Sequence, residues 1–460
     1  MNDYVNEETG VLNNNCFAKN LTSKKVLVNG ILWNFSGQLF PIIVAVFTIP
    51  WIIKGLGTEK FGILTIIWTI IGYASLFDLG LGRALTQLVS KKIGLGETKQ
   101  LPSLMWTAII MILVLSLIGA IFVIFLAPLI VDILKVSKNY RTETLNSLYL
   151  MAVCIPILVT NSCFKGILDS FQKFKITTVI RIPLVIINFI GPLIVLVFTK
   201  NLAFSVALLV LTRFVTLFAF LFACFKTVDN FFKDFRFNKE YIEPLFSFGG
   251  WMTVSNIISP FLHCFDRFFI ANMLSASVIA YYTIPYEIIM KLLLIPAAIM
   301  GVMFPAFSTE LTRDTERTAR LYNKSQKYIF FLLLPVVIFI LFFAKLGLSV
   351  WINEDFAAHS YKVVQILTIS ILINSLAHPG YYLIQAFGKA DLTAKIHLIE
   401  LPIYLISLFI LIKMYGINGA AIAWLIRSIA DLVLFNIVAS KLMRINFISD
   451  LLTDFRIIKE

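Results

Sequence analysis

Apolar residues run along this chain in blocks of roughly 20, divided by short polar segments, a length that lets a helix cross a hydrocarbon core of about 30 Å. Backbone groups in lipid have no water to bond, so blocks of this kind must be helical. They fall at 27–53, 60–90, 104–134, 146–171, 176–199, 202–225, 246–273, 278–308, 328–344, 362–387, 393–412 and 416–440. The expected fold is an all-α polytopic membrane protein with about 12 transmembrane helices. The segments between them are short. The longest, around 309–327 and 345–361, are too small to hold a soluble domain.

The two halves echo each other. FQKFKITTVIRIPLVIINFI at 171–190 resembles FGKADLTAKIHLIELPIYLISLFI at 387–410, and AFSVALLVLTR at 203–213 aligns with INGAAIAWLIR at 417–427. This places Ala207 over Ala421, Leu211 over Leu425 and Arg213 over Arg427, and Trp33 of the first segment corresponds to Trp251 of the seventh. Two pseudo-symmetric six-helix lobes related by an axis along the membrane normal are expected, with a substrate path between them. The division is a tail at 1–26, an N-lobe at 27–225, a linker at 226–245, a C-lobe at 246–440 and a tail at 441–460.

Composition agrees. Of 460 residues 59% are hydrophobic and 14% charged, and the mean hydropathy is +0.88, whereas a soluble domain carries roughly 25% charged residues. The net charge of +13 does not indicate nucleic acid, because the basic residues are spread over many short loops. Lys24, Lys25, Lys91, Lys92, Lys173, Lys175, Lys226, Lys239, Arg313, Arg317 and Arg320 fall on one side of the alternating segments, against a sparse set such as Lys54, Lys60, Lys200, Lys345 and Lys413 on the other. The positive-inside rule then puts both termini in the cytoplasm. The first 26 residues lack the basic-then-apolar order of a secretory signal and read as a cytoplasmic tail. The five cysteines are scattered, without metal-ligand spacing, and read as small core residues.

A charge at the centre of a span costs roughly 2.5–3.5 kcal/mol, so each one needs a partner, an interface or a wet cavity. Lys165 with Asp169, Glu287 with Lys291, and Arg427 with Asp431 are spaced i, i+4, so opposite charges share a helix face and can neutralise each other. Lys165 and Arg181 also lie close enough to a span end to snorkel. Arg213 sits mid-span with no acid three or four residues away. Asp266 and Arg267 are adjacent, about 100° apart around a helix, and cannot face each other. Asp78 and Arg83 sit five apart in the glycine-rich DLGLGR. An arginine in a wet cavity suits a pyrophosphate, because its planar fork bonds two oxygens at once. The candidate pathway set is therefore Asp78, Arg83, Arg181, Arg213, Asp266, Arg267, Glu287, Lys291 and Arg427. His397 and Glu400 share a helix face and could carry protons, although an ordinary polar contact is the preferred reading. Pro41, Pro50 and Pro260 mark sites where a helix could bend. No GxxxxGK[ST] and no HExxH occurs, so neither a nucleotide-driven motor of that type nor a zinc site of that type is expected.

GLGTEKFGILTIIWTIIGYASLFDLGLGRALTQLVSKK at 55–92 resembles the second-span region of the Wzx-type polysaccharide flippases. FDRFFIANMLSASVIAYYTIPYEI at 265–288 resembles their Asp-Arg seventh span with the tyrosine-rich eighth, and WINEDFAAHSYKVVQILTIS at 351–370 and YGINGAAIAWLI at 415–426 resemble their late segments. The resemblance covers about 25–445 and implies the multidrug/oligosaccharidyl-lipid/polysaccharide exporter superfamily with a MATE-like fold. It further implies a bacterial inner-membrane protein that moves undecaprenyl-pyrophosphate-linked oligosaccharides outward for O-antigen, capsule or exopolysaccharide assembly. Alternating access driven by H⁺ or Na⁺ would power it, no other cofactor is implied, and other polysaccharide-assembly membrane proteins are possible partners besides membrane lipid. Asp78, Arg83, Asp266 and Arg267 fall on the family's charged stretches.

Three other readings compete. A multidrug/cation antiporter of the superfamily often has an acid in its first span, whereas residues 27–53 hold only Asn29, Asn34 and Gln38 as notable polar groups. A lipid II flippase usually has fourteen spans. A membrane polymerase or ligase would need convergent polar groups in an outer loop, and KLGLSVWINEDFAAHSY at 345–361 offers few. The chain is read as a transporter and not as an enzyme.

Overall fold

Each apolar block folds as a helix because only i→i−4 bonding satisfies its backbone within one segment. The computed structural model describes residues 20–72, 78–133, 136–232, 235–274 and 278–443. The expected tails at 1–19 and 444–460, with Cys16, lie outside the described residues. The helices are α1 (Lys24–Leu56), α2 (Thr58–Gly72), α3 (Leu81–Leu95), α4 (Leu101–Ile133), α5 (Arg141–Ser170), α6 (Phe174–Phe198) and α7 (Leu202–Thr227). They continue as α8 (Ile242–Met273), α9 (Ile279–Met290), α10 (Leu294–Glu310), α11 (Thr315–Trp351), α12 (Glu354–Ala386), α13 (Ala390–Tyr415) and α14 (Ile417–Met443). No strand occurs among the described residues, and ten helical stretches there are long and apolar enough to cross a membrane. Phe125, Phe342 and Val350 are each about four-fifths exposed (79%, 80% and 81%), as lipid-facing side chains must be.

Two expected segments are interrupted. The block at 60–90 divides into α2 and α3, with Asp78 just before the second helix. Its Oδ1 accepts from the Gly80 N–H at 2.7 Å, and its carboxylate also meets the Gly82 N–H, so it caps α3. Gly80 adopts φ +72°, the left-handed conformation that glycine alone takes cheaply. The block at 278–308 tightens into a 3₁₀ turn at Lys291–Leu293 between α9 and α10. Pro296, in the first turn of α10, supplies no N–H and crowds the carbonyl four residues earlier, which accounts for the tightening. A third difference is one of length. The charged stretch after Asp314 is helical, and α11 runs to Trp351, well beyond the apolar 328–344. Asp314 caps it by accepting from the Arg317 N–H at 2.8 Å. Most of the expected outer loop at 345–361 is therefore helix: α12 begins at Glu354, capped by Asn353, whose Oδ1 accepts from the Phe356 N–H at 2.8 Å.

The chain packs as two compact units, Met1–Thr253 and Val254–Glu460. In the first, Ile52, Leu64, Ile67, Met151, Leu202 and Val206 form a buried core, with Gly166 of α5 so close to α3 that a Cβ there would meet Thr86 Oγ1 at 2.6 Å. The opening turns of α8 belong to this unit, because Gly249 lies against Gly80: a Cβ on Gly80 would sit 2.5 Å from the Gly249 carbonyl oxygen. In the second unit Leu262, Tyr282, Leu367, Ile371, Tyr404 and Trp424 anchor a larger core. Cys154, Cys163 and Cys224 are buried free thiols.

Candidate functional site

In the first unit Arg213 lies on α7, eleven residues beyond Leu202, so about 16 Å along the helix. It is 2% exposed. Its Nη1 donates to the Leu209 carbonyl at 3.0 Å and its Nη2 to Asn188 Oδ1 at 3.1 Å, while Nε has no acceptor. No carboxylate among the described residues pairs with it, as the sequence spacing suggested. Asn161 of α5 holds the helix at this point by donating to the Arg213 carbonyl oxygen at 3.1 Å. The guanidinium is thus a buried cation surrounded by neutral acceptors. Arg181 on α6 is half-buried, with Asp169 its electrostatic neighbour, and Asp169 in turn accepts from Lys165 as the i, i+4 spacing predicted. Arg83, on the first turn of α3, is half-buried near Asp78.

In the second unit Asp266 and Arg267 on α8 point to different partners, as their angular separation requires. Asp266 is fully buried, and its Oδ2 accepts from the Tyr282 hydroxyl of α9 at 2.6 Å. Arg267 Nη2 binds Glu287 Oε1 at 2.5 Å, and the guanidinium lies 5.2 Å from the centre of the Tyr286 ring. Glu287 was expected to pair with Lys291; that contact is 3.9 Å between exposed side chains, and the shorter bond goes to Arg267. Tyr282→Phe removes the hydroxyl donor from a carboxylate oxygen that water cannot reach. The expected cost is about 1–3 kcal/mol, read as a lowered melting temperature in detergent, and Asp266→Asn added to Tyr282→Phe should not lower it by the sum of the two single changes.

The sequence missed the assembly of one cluster. His397 and Glu400 of α13 meet Arg427 and Asp431 of α14, and Asn374 of α12 donates to Asp431 Oδ2 at 3.1 Å. Arg427 Nη2 stands 3.7 Å from Asp431 Oδ2, with the Tyr404 and Trp424 rings 5.6 and 5.7 Å from the guanidinium carbon. His397, Glu400 and Asp431 each aim one donor atom at a common point, those atoms lying within 4.8 Å of one another, with room for a small positive charge. The two i+3 and i+4 pairs were visible in the sequence, but nothing in it indicated that the two helices bring them face to face.

Arg213 and Arg427, aligned by the internal repeat, are both buried about three turns into their helices. Residues 27–311 match the model of the family described as polysaccharide biosynthesis protein. The chain belongs to the polysaccharide biosynthesis protein family. A putative O-antigen transporter of Shigella flexneri is 34% identical over 409 residues, covering 89% of this chain and 96% of that protein. The lipopolysaccharide biosynthesis protein WzxC of Escherichia coli K12 is 23% identical, covering 90% and 81%. The fold is that of MATE transporters of the MOP superfamily. An outward-facing multidrug resistance MATE transporter superposes with TM-score 0.78 at 15% identity, covering 92% of this chain and 98% of that one. A MOP superfamily transporter from Pyrococcus furiosus, described as having a binding pocket of reversed polarity, gives 0.77 at 15% identity, covering 92% and 96%. The family member described here is thus a multi-pass membrane protein with a transporter fold, and the sequence resemblance to Wzx-type flippases holds.

Proposed function

We propose that this protein is a flippase that carries an undecaprenyl-pyrophosphate-linked oligosaccharide from the cytoplasmic to the periplasmic leaflet of a bacterial inner membrane. Both termini face the cytoplasm, and alternating access is coupled to H⁺ or Na⁺. The observation that carries this reading is Arg213, a guanidinium at span depth with an N–H that has no acceptor and no carboxylate to neutralise it. Holding such a charge in the membrane costs roughly 2.5–3.5 kcal/mol, a cost that a passing diphosphate would offset through bidentate bonds. Arg427 presents a second guanidinium with unoccupied N–H groups at the matching position. Arg83 and Arg181 in the first unit, with Asp78, and Arg267 and Lys291 in the second, with Asp266 and Glu287, are the other charged side chains assigned to substrate handling within their own units.

The MATE fold also hosts multidrug transporters, and that is the second reading. It is disfavoured by α1, which contains no Asp or Glu to bind a coupling cation. Deleting the gene separates the two. Lipid-linked oligosaccharide accumulating on the cytoplasmic leaflet, shielded from an impermeant reagent, supports the flippase. Normal surface glycan with new sensitivity to cationic drugs supports the antiporter.

A further inference from the structure

The segment KLGLSVWINEDFAAHSY at 345–361, which offers few convergent polar groups for catalysis, helps to build a pocket instead. Within α12, Asp355, His359 and Lys362 stand at i, i+4 and i+7, on one helix face. The turns from α8 to α9 and from α13 to α14 meet the start of α12, and together they bound a cavity of about 500 Å³ inside the second unit. Small-molecule sites run from roughly 300 to 1,000 Å³. In the orientation proposed above, these turns lie on the periplasmic side.

The walls are aromatic and held in place. Tyr281, in the first turn of α9, stacks on His359 at 4.9 Å and packs against Phe356 at 5.1 Å. Its hydroxyl donates to Asp355 Oδ2 at 3.1 Å, and its carbonyl oxygen accepts from Ser360 Oγ at 2.9 Å. The Tyr361 ring has Lys345 Nζ at 5.8 Å and Lys362 Nζ at 6.0 Å from its centre. Tyr415 ends α13, exposed, and Gly416 at φ +59° turns the chain directly into α14.

The polar groups in these walls are of two kinds. Two are acceptors. His359 Nδ1 lies 2.9 Å from the Asp355 carbonyl oxygen, which can only accept, so in the neutral ring Nδ1 carries the proton and Nε2 is the acceptor. Asn418, the second residue of α14, keeps its Oδ1 shielded from water with no donor, a costly state. The third group is a cation. Lys362 lines the pocket, no acid does among the described residues, and α14 begins there with the partial positive charge of a helix N-terminus.

We propose that this pocket binds a carboxylate-bearing sugar of the transported oligosaccharide as it emerges on the outer side. The match runs group by group. A pyranose has hydroxyls to donate to Asn418 Oδ1 and His359 Nε2, and its C–H faces pack on the electron-rich faces of tyrosine rings. Its carboxylate takes the charge-assisted bond from Lys362. A neutral sugar leaves Lys362 unmatched. A lipid phosphodiester matches Lys362 alone, because it carries no hydrogen for the two acceptors.

This inference rests on the reading of the chain as a carrier of lipid-linked oligosaccharide, and the test reads sugar binding apart from transport. The full chain in phosphatidylcholine nanodiscs is examined by saturation-transfer NMR with glucuronate, galacturonate and N-acetylneuraminate. Glucose, galactose and dimethyl phosphate serve as comparisons. At least one sugar acid should bind about tenfold more tightly than the neutral sugars, the lower end of what a hydrogen bond to a charged group contributes. Lys362→Gln, at an exposed side chain, should erase that advantage without moving the melting temperature. Asn418→Ala should weaken acidic and neutral sugars together. Sugar acids that bind no better than neutral sugars overturn the inference, as does an advantage that survives in Lys362→Gln. Dimethyl phosphate binding as tightly as the sugar acids makes this a headgroup site and overturns it too. A parent protein that binds no sugar acid yet flips lipid-linked oligosaccharide fails this inference alone, whereas one that binds the acid and flips nothing counts against the flippase reading alone.

Discussion

Replacing Arg213 by glutamine is expected to stop transport while leaving the protein in the membrane at its normal level. The two halves of that result come from the same fact. Arg213 bonds only the Leu209 carbonyl and the Asn188 amide oxygen, so removing its charge strands no buried carboxylate. It also relieves the roughly 2.5–3.5 kcal/mol of holding a cation at span depth. Stability should therefore stay the same or rise. Transport should fall, because a hydrogen bond to a charged group contributes about 1.5–3 kcal/mol, which corresponds to a loss of roughly 10- to 150-fold. Lysine at the same position keeps the charge but not the fork, and should restore only part of the activity. Membrane abundance and melting temperature, measured beside transport, check both halves. A Gln variant that transports normally would remove Arg213 from the pathway.

Gly80→Ala should have the opposite signature, loss of the fold and not merely of transport. A Cβ at Gly80 lands 2.5 Å from the Gly249 carbonyl oxygen and 2.6 Å from the Met252 Cβ. Neither is the far end of a flexible side chain, so α3 and the opening turns of α8 must separate. Gly80 also holds φ +72°, a conformation that costs an L-residue about 1–2 kcal/mol. With overpacking at about 1–3 kcal/mol, the total destabilisation is about 2–5 kcal/mol. Gly249→Ala meets the Leu79 carbonyl oxygen at 2.7 Å without the φ penalty, and should lose less. Gly62→Ala, with nothing within 4 Å of its Cβ, is the control and should melt like the parent. Thermal melting of the purified series gives the order directly.

The architecture was legible in the sequence wherever hydrophobicity alone sets the structure. The block at 104–134 becomes α4 almost residue for residue, because a continuous apolar stretch has no other way to satisfy its backbone in lipid. Hydropathy failed where a local rule intervenes within or beyond a block. Asp78 caps a helix in the middle of an apparent span, and Pro296 tightens another. Asp314 extends α11 through charged residues that no membrane requires. The candidate site divides the same way. Contacts within one helix were readable from spacing, and Lys165 with Asp169 and Arg427 with Asp431 form as i, i+4 pairs. Contacts between helices were not readable. Glu287 has its shorter ion pair with Arg267 of α8, and Glu400 faces Asp431, because helix rotation and packing decide these neighbours and one sequence does not report them. Arg213 was singled out correctly as an arginine without an acid for the simplest reason: the absence of a local partner is itself a sequence fact.

The central claim is that this chain moves a pyrophosphate-linked lipid from one leaflet to the other. The most direct test places the purified protein in liposomes whose two leaflets carry a fluorescent lipid-linked oligosaccharide, then adds an impermeant quencher outside. Empty liposomes should lose about half the signal, the share facing out when the lipid is spread evenly. Liposomes holding the protein should lose nearly all of it, at a rate that rises with an imposed pH gradient and collapses in the Arg213→Gln variant. Quenching that stops at the same level with and without the protein, under every gradient, would contradict the account.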